Sequence, residues 1–341
     1  TYEAAAAHLE QVLDEWPHLG APLPTENIPA MSGTFNVPLY GLDNWKDLFN
    51  ERQLLSMLTF SSSATQLNND LADSVSSVVK RTDIEVSADQ LVAAVSGYIG
   101  IIVGRMADYG STLMQWVSSG EFAAHTFVRQ ALPMSWDHFE NSPMSGAGGE
   151  WTSHLEWVLR YINKNDWRSE SLSTVQRTSA TDLPHSSDTL DAVLTDPPYY
   201  NSVPYADLSD FFYVWLKRSV GDYFPELFST PTVPKAEEAV EMAGWDSERY
   251  AHKDRDFFEE KLGASFQEMH RVLKPGGIAV VVYAHKTTEG WETMLNGLVE
   301  AGFVVTGSWP VHTERKARLR SAQSAALASS IYMVCRKTER E

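Results

Sequence analysis

Asp191-Ala192-Val193-Leu194-Thr195-Asp196-Pro197-Pro198-Tyr199 is the stretch on which the fold turns. A short apolar run ends abruptly in an acid and two prolines. Proline offers no N–H to a ladder, so a strand stops at Thr195 and a turn begins at Asp196. A run this apolar predicts a buried strand. Helical spacing resumes over residues 206–217, and residues 257–273 read as a helix ending at Lys274-Pro275-Gly276-Gly277. The continuous apolar run 278–283 then predicts another strand, so helix stop, glycine turn and buried strand form the αβ half of a crossover unit. A further helix over residues 291–301 closes at Gly302. The β-rich stretches 303–309 and 330–335 are expected to make an antiparallel hairpin at one sheet edge, joined by a long basic connector. Together these elements predict an α/β fold, an open and mostly parallel sheet with helices on both faces.

Upstream the pattern changes. Residues 1–16 open as an alanine-rich helix, and residues 17–40 are rich in proline and glycine, as a connector would be. Apolar residues at helical spacing predict long packed helices over 48–80 and 87–117, the second after a Ser87 N-cap, and a shorter one over 150–161. The chain is therefore expected to hold a mainly helical region, residues 1–168, followed by the α/β part, residues 169–341.

Composition narrows the class. The 341 residues are 43% hydrophobic and 21% charged, ordinary for a globular protein. The longest uncharged apolar stretch, residues 91–104, falls short of the about 18 residues that cross a bilayer, so no membrane span is expected. The single cysteine, Cys335, can form neither an internal disulfide nor a thiolate zinc site, which fits a reducing cytoplasm. Ten histidines without paired ligand spacing point to no metal. With 27 Lys and Arg against 45 Asp and Glu, the net charge of −18 excludes a protein that coats nucleic acid over its whole surface. Residues 301–341 reverse that balance, so Arg315, Lys316 and Arg318 are candidates to meet a polyanion; the alternative is a solvated surface. The opening Thr1-Tyr2-Glu3 has neither an initiator methionine nor a basic leader, and the chain reads as part of a longer polypeptide.

In an open α/β sheet, ligands sit beyond the carboxyl ends of the strands, where Asp196-Pro197-Pro198-Tyr199 falls. This motif resembles that of the S-adenosylmethionine-dependent amino-methyltransferases, which methylate exocyclic nitrogens of adenine or cytosine. The longer run from Asp196 through Tyr205, Asp210 and Trp215 to Arg218, with Trp136-Asp137-His138-Phe139-Glu140-Asn141-Ser142-Pro143 and the Ser329-Ser330-Ile331 strand entry, is similar to a family of uncharacterised adenine-specific DNA methylases, domain of unknown function 1156. The resemblance covers about residues 40–338. It implies a Rossmann-like methyltransferase sheet, S-adenosylmethionine as cofactor, DNA as partner, and a restriction or phage-defence setting. It also implies that the Asp196 carboxylate and the Pro197 carbonyl accept hydrogen bonds from the target amino group. Pro198 then stiffens the turn, Tyr199 stacks on a base drawn out of the duplex, and Tyr200 and Asn201 line the pocket. An amino nitrogen conjugated to a ring is a poor nucleophile, and two fixed acceptors favour the tetrahedral geometry from which it attacks. An opening Asp favours N6 of adenine over N4 of cytosine. A protein glutamine amide or RNA as substrate, or a fragment without turnover, are the alternatives.

The cofactor side is incomplete. Such a fold has a glycine loop after its first strand and an acid after its second, and the sequence shows no such pair. Ser145-Gly146-Ala147-Gly148-Gly149 follows no strand and reads as a loop. Ser179-Ala180-Thr181-Asp182 is expected to end a third strand, with Ala180, Asp182 and Asp196 bordering the cofactor; an exposed loop acid is the alternative for Asp182. The first strands are thus expected upstream of Thr1, in a cofactor-binding segment of the same protein. The helical region is then an insertion of the kind that carries target recognition, where Trp45, Arg52, Arg105, Arg129, Trp136 and Trp151 are candidates for DNA contact against the commoner core and surface roles. Asp207 and Asp210, opening the helix after the motif, read first as acids that complement its dipole.

Overall fold

The computed structural model describes residues 2–16, 22–31, 33–79, 86–164, 173–199, 203–285, 287–311 and 330–338. It divides into two compact units, Thr1–Glu170 with Tyr205–Lys235, and Ser171–Pro204 with Ala236–Glu341. The first break falls beside the expected boundary, but residues 205–235 belong to the helical unit and not to the α/β part.

The helical unit contains α1 (Tyr2–Asp14), α2 (Glu51–Val79), α3 (Ala88–Asp108), the two-stranded ribbon β1 (Gln115–Val117) and β2 (Phe122–Ala124), α4 (Trp151–Lys164) and α5 (Tyr205–Val220). The expected Ser87 cap forms: its side chain accepts from the Gln90 N–H, and Gln90 returns the bond. The helix it starts ends at Asp108, not at Val117, and residues 115–117 become a strand. Among the described residues α3 is the one helix long and apolar enough to cross a membrane, yet half of that window is buried inside the chain. Its Gly100 explains why: a Cβ there would stand 3.0 Å from Val220 and 3.2 Å from Leu216 of α5, so glycine lets the two helices close. The α5 helix is placed by its aromatic face, where Phe211 and Trp215 are fully buried and meet Phe49 at ring distances of 5.9 and 5.3 Å.

The second unit is mixed α/β. Its elements are β3 (Leu190–Thr195), α6 (Arg255–Val272), β4 (Leu273–Tyr283), α7 (Thr288–Glu300), β5 (Phe303–Val311) and β6 (Ser330–Lys337). The sheet order is β3-β4-β6-β5, with β3 parallel to β4 and β6 antiparallel to both β4 and β5. Three strands therefore share a direction and β6 alone is reversed. The expected antiparallel hairpin forms at one sheet edge, with β5 outermost and β6 between it and β4. Lys274-Pro275-Gly276-Gly277 is an irregularity inside β4, where Gly276 takes φ +78°.

Among the described residues of this unit, the helices α6 and α7 pack on one face of the sheet. Phe258, Leu262, Phe266 and Met269 of α6, with Met294 and Leu298 of α7, share one core with Ala279, Val281, Tyr283, Met333 and Cys335. Burial in that core pushes the Cys335 thiol up to about 11. The alternate residues point away from it: Leu194 is 74% exposed, Trp309 57%, and Ile278, Val280 and Val282 are half-buried. Strand β3, expected to be buried, pairs with β4 and has no second neighbour among the described residues.

Candidate active site

Parallel pairing of Thr195 with Val281 brings the ends of β3 and β4 level, so Asp196 emerges beside the end of β4. Asp196 is exposed, and Pro197, Pro198 and Tyr199 are half-buried. The Tyr199 hydroxyl donates to Asp196 Oδ1 at 3.0 Å, and its ring meets Tyr283 edge-on at 5.2 Å. Tyr283 is fully buried and donates its hydroxyl to the Gly290 carbonyl. Trp291 stands perpendicular to Tyr283 at 5.1 Å and donates Nε1 to the His285 carbonyl at 3.1 Å. The His285 ring stacks on Tyr283 at 6.1 Å, and its Nδ1 lies 3.2 Å from the Thr287 N–H. The result is a carboxylate anchored through one oxygen at a strand tip, beside an aromatic wall. Such a group can accept a hydrogen bond from a ligand through Oδ2 without first paying to become ordered.

Sequence reasoning did not single out Tyr283, His285 or Trp291. The available signal was Tyr283-Ala284-His285 closing the 278–283 apolar run, since neighbouring parallel strands end together.

Ala180 and Asp182 are not brought to Asp196. Residues 179–182 form an exposed turn closed by the Asp182 N–H on the Ser179 carbonyl, and not a strand end. The next residues are fixed to the end of α6: Leu183 N–H donates to Glu268, and Arg271 donates to the Leu183 and His185 carbonyls. Because α6 ends where β4 begins, this turn stands at the start of the parallel strands, opposite the Asp196 end. Arg271 and the Leu183 N–H hold the Glu268 carboxyl down to about 2. Tyr200, Asn201, Arg315, Lys316 and Arg318 lie outside the described residues.

In the helical unit, Trp45 is fully buried in the core and Trp151 stacks on Phe60 at 4.8 Å. Arg105 donates to His154 Nδ1, and Arg52 is engaged by Glu140. Of the six candidates for DNA contact, Trp136, 78% exposed, Arg129 and Arg52 are exposed, Arg52 with its guanidinium held by Glu140. Asp207 and Asp210 are not surface acids: both are buried. Asp210 accepts from the Val233 N–H at 2.9 Å and from Lys235 Nζ at 3.0 Å, tying the segment after α5 to that helix. Desolvation outweighs these donors and pushes its carboxyl up to about 6. Burial and the Arg105 charge push the His154 imidazole the other way, down to about 4. Among the described residues no three His, Cys, Asp or Glu side chains gather where they could hold a metal.

No protein-family model matches this chain, and no curated protein matches it.

Proposed function

We propose that this chain carries the catalytic part of an S-adenosylmethionine-dependent DNA methyltransferase that acts on an exocyclic amino group, N6 of adenine before N4 of cytosine, on a Rossmann-like sheet. The observation that carries this reading is Asp196, exposed at the tip of one of two parallel strands and held by Tyr199 beside a second aromatic side chain. Asp196 Oδ2 accepts one N–H of the target amino group and the Pro197 carbonyl accepts the other, leaving the nitrogen lone pair directed at the incoming methyl carbon. The rigid Pro197-Pro198 turn fixes both acceptors before the base arrives. Tyr199, backed by Tyr283, offers the base a stacking face, and stacking contributes about 1–3 kcal/mol per base.

When bound, the cofactor supplies the methyl group as an electrophile. The described residues furnish the amino-group side of this reaction and no cradle for the cofactor, because Asp182 faces the wrong end of the sheet. We assign that cradle to a further segment of the same protein. Its support is the open edge of β3 and the bare apolar face carrying Leu194 and Trp309, since strands apolar on both faces belong in sheets covered on both sides. A cytoplasmic setting fits the unpaired Cys335.

The test is transfer of labelled methyl from S-adenosylmethionine by the full-length protein, offered DNA, RNA and protein side by side. Label in DNA supports the reading, and label in protein alone ends it.

A further inference from the structure

The turn that carries Asp196 sends its side chains two ways. Asp196 is exposed, while Tyr199 packs against the core under the helices. The 3.0 Å bond from the Tyr199 hydroxyl joins them, so whatever fixes the Tyr199 ring also fixes the carboxylate. Parallel pairing ends at Thr195 with Val281, and two residues further on Tyr283 closes β4. Alternate residues of a strand share a face, and Val281 and Tyr283 are both fully buried in the helix-covered core.

Tyr283 is in turn tied to α7. Its hydroxyl donates to the Gly290 carbonyl at 3.1 Å, and Trp291 Nε1 donates to the His285 carbonyl at 3.1 Å. Both bonds run between the exit of β4 and the first turn of α7. The Tyr283 ring lies perpendicular to Trp291 at 5.1 Å and nearly parallel to His285 at 6.1 Å. Gly290 is required for this fit, because a Cβ there would run into the His285 ring. A phenylalanine at 283 would fill the same core space; the hydroxyl adds the bond to the helix. A turn residue that leans on a side chain locked in this way inherits its precision. The Tyr199 ring meets Tyr283 at 5.2 Å and 81°. Whichever ring supplies the edge, Tyr283 covers at most one face of Tyr199.

We infer that Tyr283 is a positioning residue for the amino-group acceptors. Braced by Trp291, it holds the Tyr199 ring, and through the Tyr199 hydroxyl the Asp196 carboxylate, in one orientation. Tyr283 is wholly buried, so it acts through Tyr199 and does not touch the base. That the orientation serves methyl transfer rests on the reading above; the contacts that set it do not.

The experiment measures kcat and KM for methyl transfer into DNA by the full-length protein and its Tyr283→Leu and Tyr283→Phe variants. Tyr283→Leu removes the ring and should lower kcat about tenfold or more, since a small misplacement near reacting groups is costly in rate. KM for S-adenosylmethionine should stay within about twofold. Tyr283→Phe keeps the ring contact and should restore kcat to within about threefold of wild type. The readout that needs no activity is NMR relaxation of the Tyr199 ring in this chain with carbon-labelled tyrosine, its signal identified by loss in Tyr199→Phe. The ring should be rigid in wild type and in Tyr283→Phe, and mobile in Tyr283→Leu. A folded Tyr283→Leu protein with wild-type kcat, or with a Tyr199 ring as rigid as in wild type, overturns the proposal. Should Tyr283→Leu fail to fold, Trp291→Leu removes the half-buried brace and decides by the same two measurements. DNA methylation by wild type with Tyr199 rigid in the folded variants removes this role and leaves the function standing; a Tyr199 loosened by Tyr283→Leu in a protein that methylates no DNA does the opposite.

Discussion

At the residue scale the structure gives Tyr199 a second task. Its hydroxyl holds Asp196 Oδ1 while its ring leans on Tyr283, so under the proposed function the tyrosine orients the carboxylate as well as offering a face to the base. Tyr199→Phe keeps the ring and removes the tether. Methyl transfer by the full-length protein is expected to fall about three- to tenfold, as for one hydrogen bond lost, with thermal stability unchanged. Asp210 is the residue whose chemistry shows in stability instead. Its carboxyl sits near 6 in the fold against 3.8 ordinarily. A raised value means that its contribution is fully present below pH 3.8 and is lost as pH rises through about 6. Asp210→Asn keeps an acceptor for Val233, so unfolding titrations should show wild type gaining about 1–3 kcal/mol relative to the variant between pH 7 and pH 4. A gap that does not change with pH would place Asp210 in a solvated position. The sequence made Asp196 legible because proline, acid and strand end coincide there. It hid Asp210, since an acid in the first turns of a helix looks alike whether it faces water or the Lys235 segment.

At the element scale, apolar runs predicted β3 to β6 of the mixed sheet where they form, but burial does not follow from apolarity alone. Val193 and Leu194 lie on the same strand, and one leans on the core while the other stands in solvent. Burial depends on what lies over each face, which no local pattern contains. The same limit explains α5: helical spacing over 206–217 was plain, while its place among Phe49 and the other rings of the helical unit depended on pairings far apart in sequence. It also explains residues 179–182, whose polar turn is set by Glu268 and Arg271 some 85 residues later. Leu194→Lys tests the bare face. Because Leu194 is exposed, the variant should leave the stability of this chain within about 0.5 kcal/mol, yet it should weaken cofactor binding and transfer in the full-length protein. Unaltered transfer would show that nothing packs on that face.

At the scale of the whole molecule, the chemistry proposed here falls to one unit. The mixed sheet carries the amino-group acceptors and the side chains that position them. Neither unit, by its described residues, offers a glycine loop for the cofactor. Calorimetry of S-adenosylmethionine on this chain alone is therefore expected to show weak binding or none, with binding restored in the full-length protein; micromolar affinity for this chain alone would refute the assignment of the cradle elsewhere. Under the proposed function, the net charge of −18 confines contact with DNA to a local surface.

The central claim is tested most directly by one comparison, labelled methyl incorporation into DNA by the full-length protein and by its Asp196→Ala variant. Asp196 is exposed, so the variant should fold as wild type does, while transfer should fall at least about 100-fold for want of its acceptor. A folded Asp196→Ala protein that methylates DNA at the wild-type rate would contradict the account.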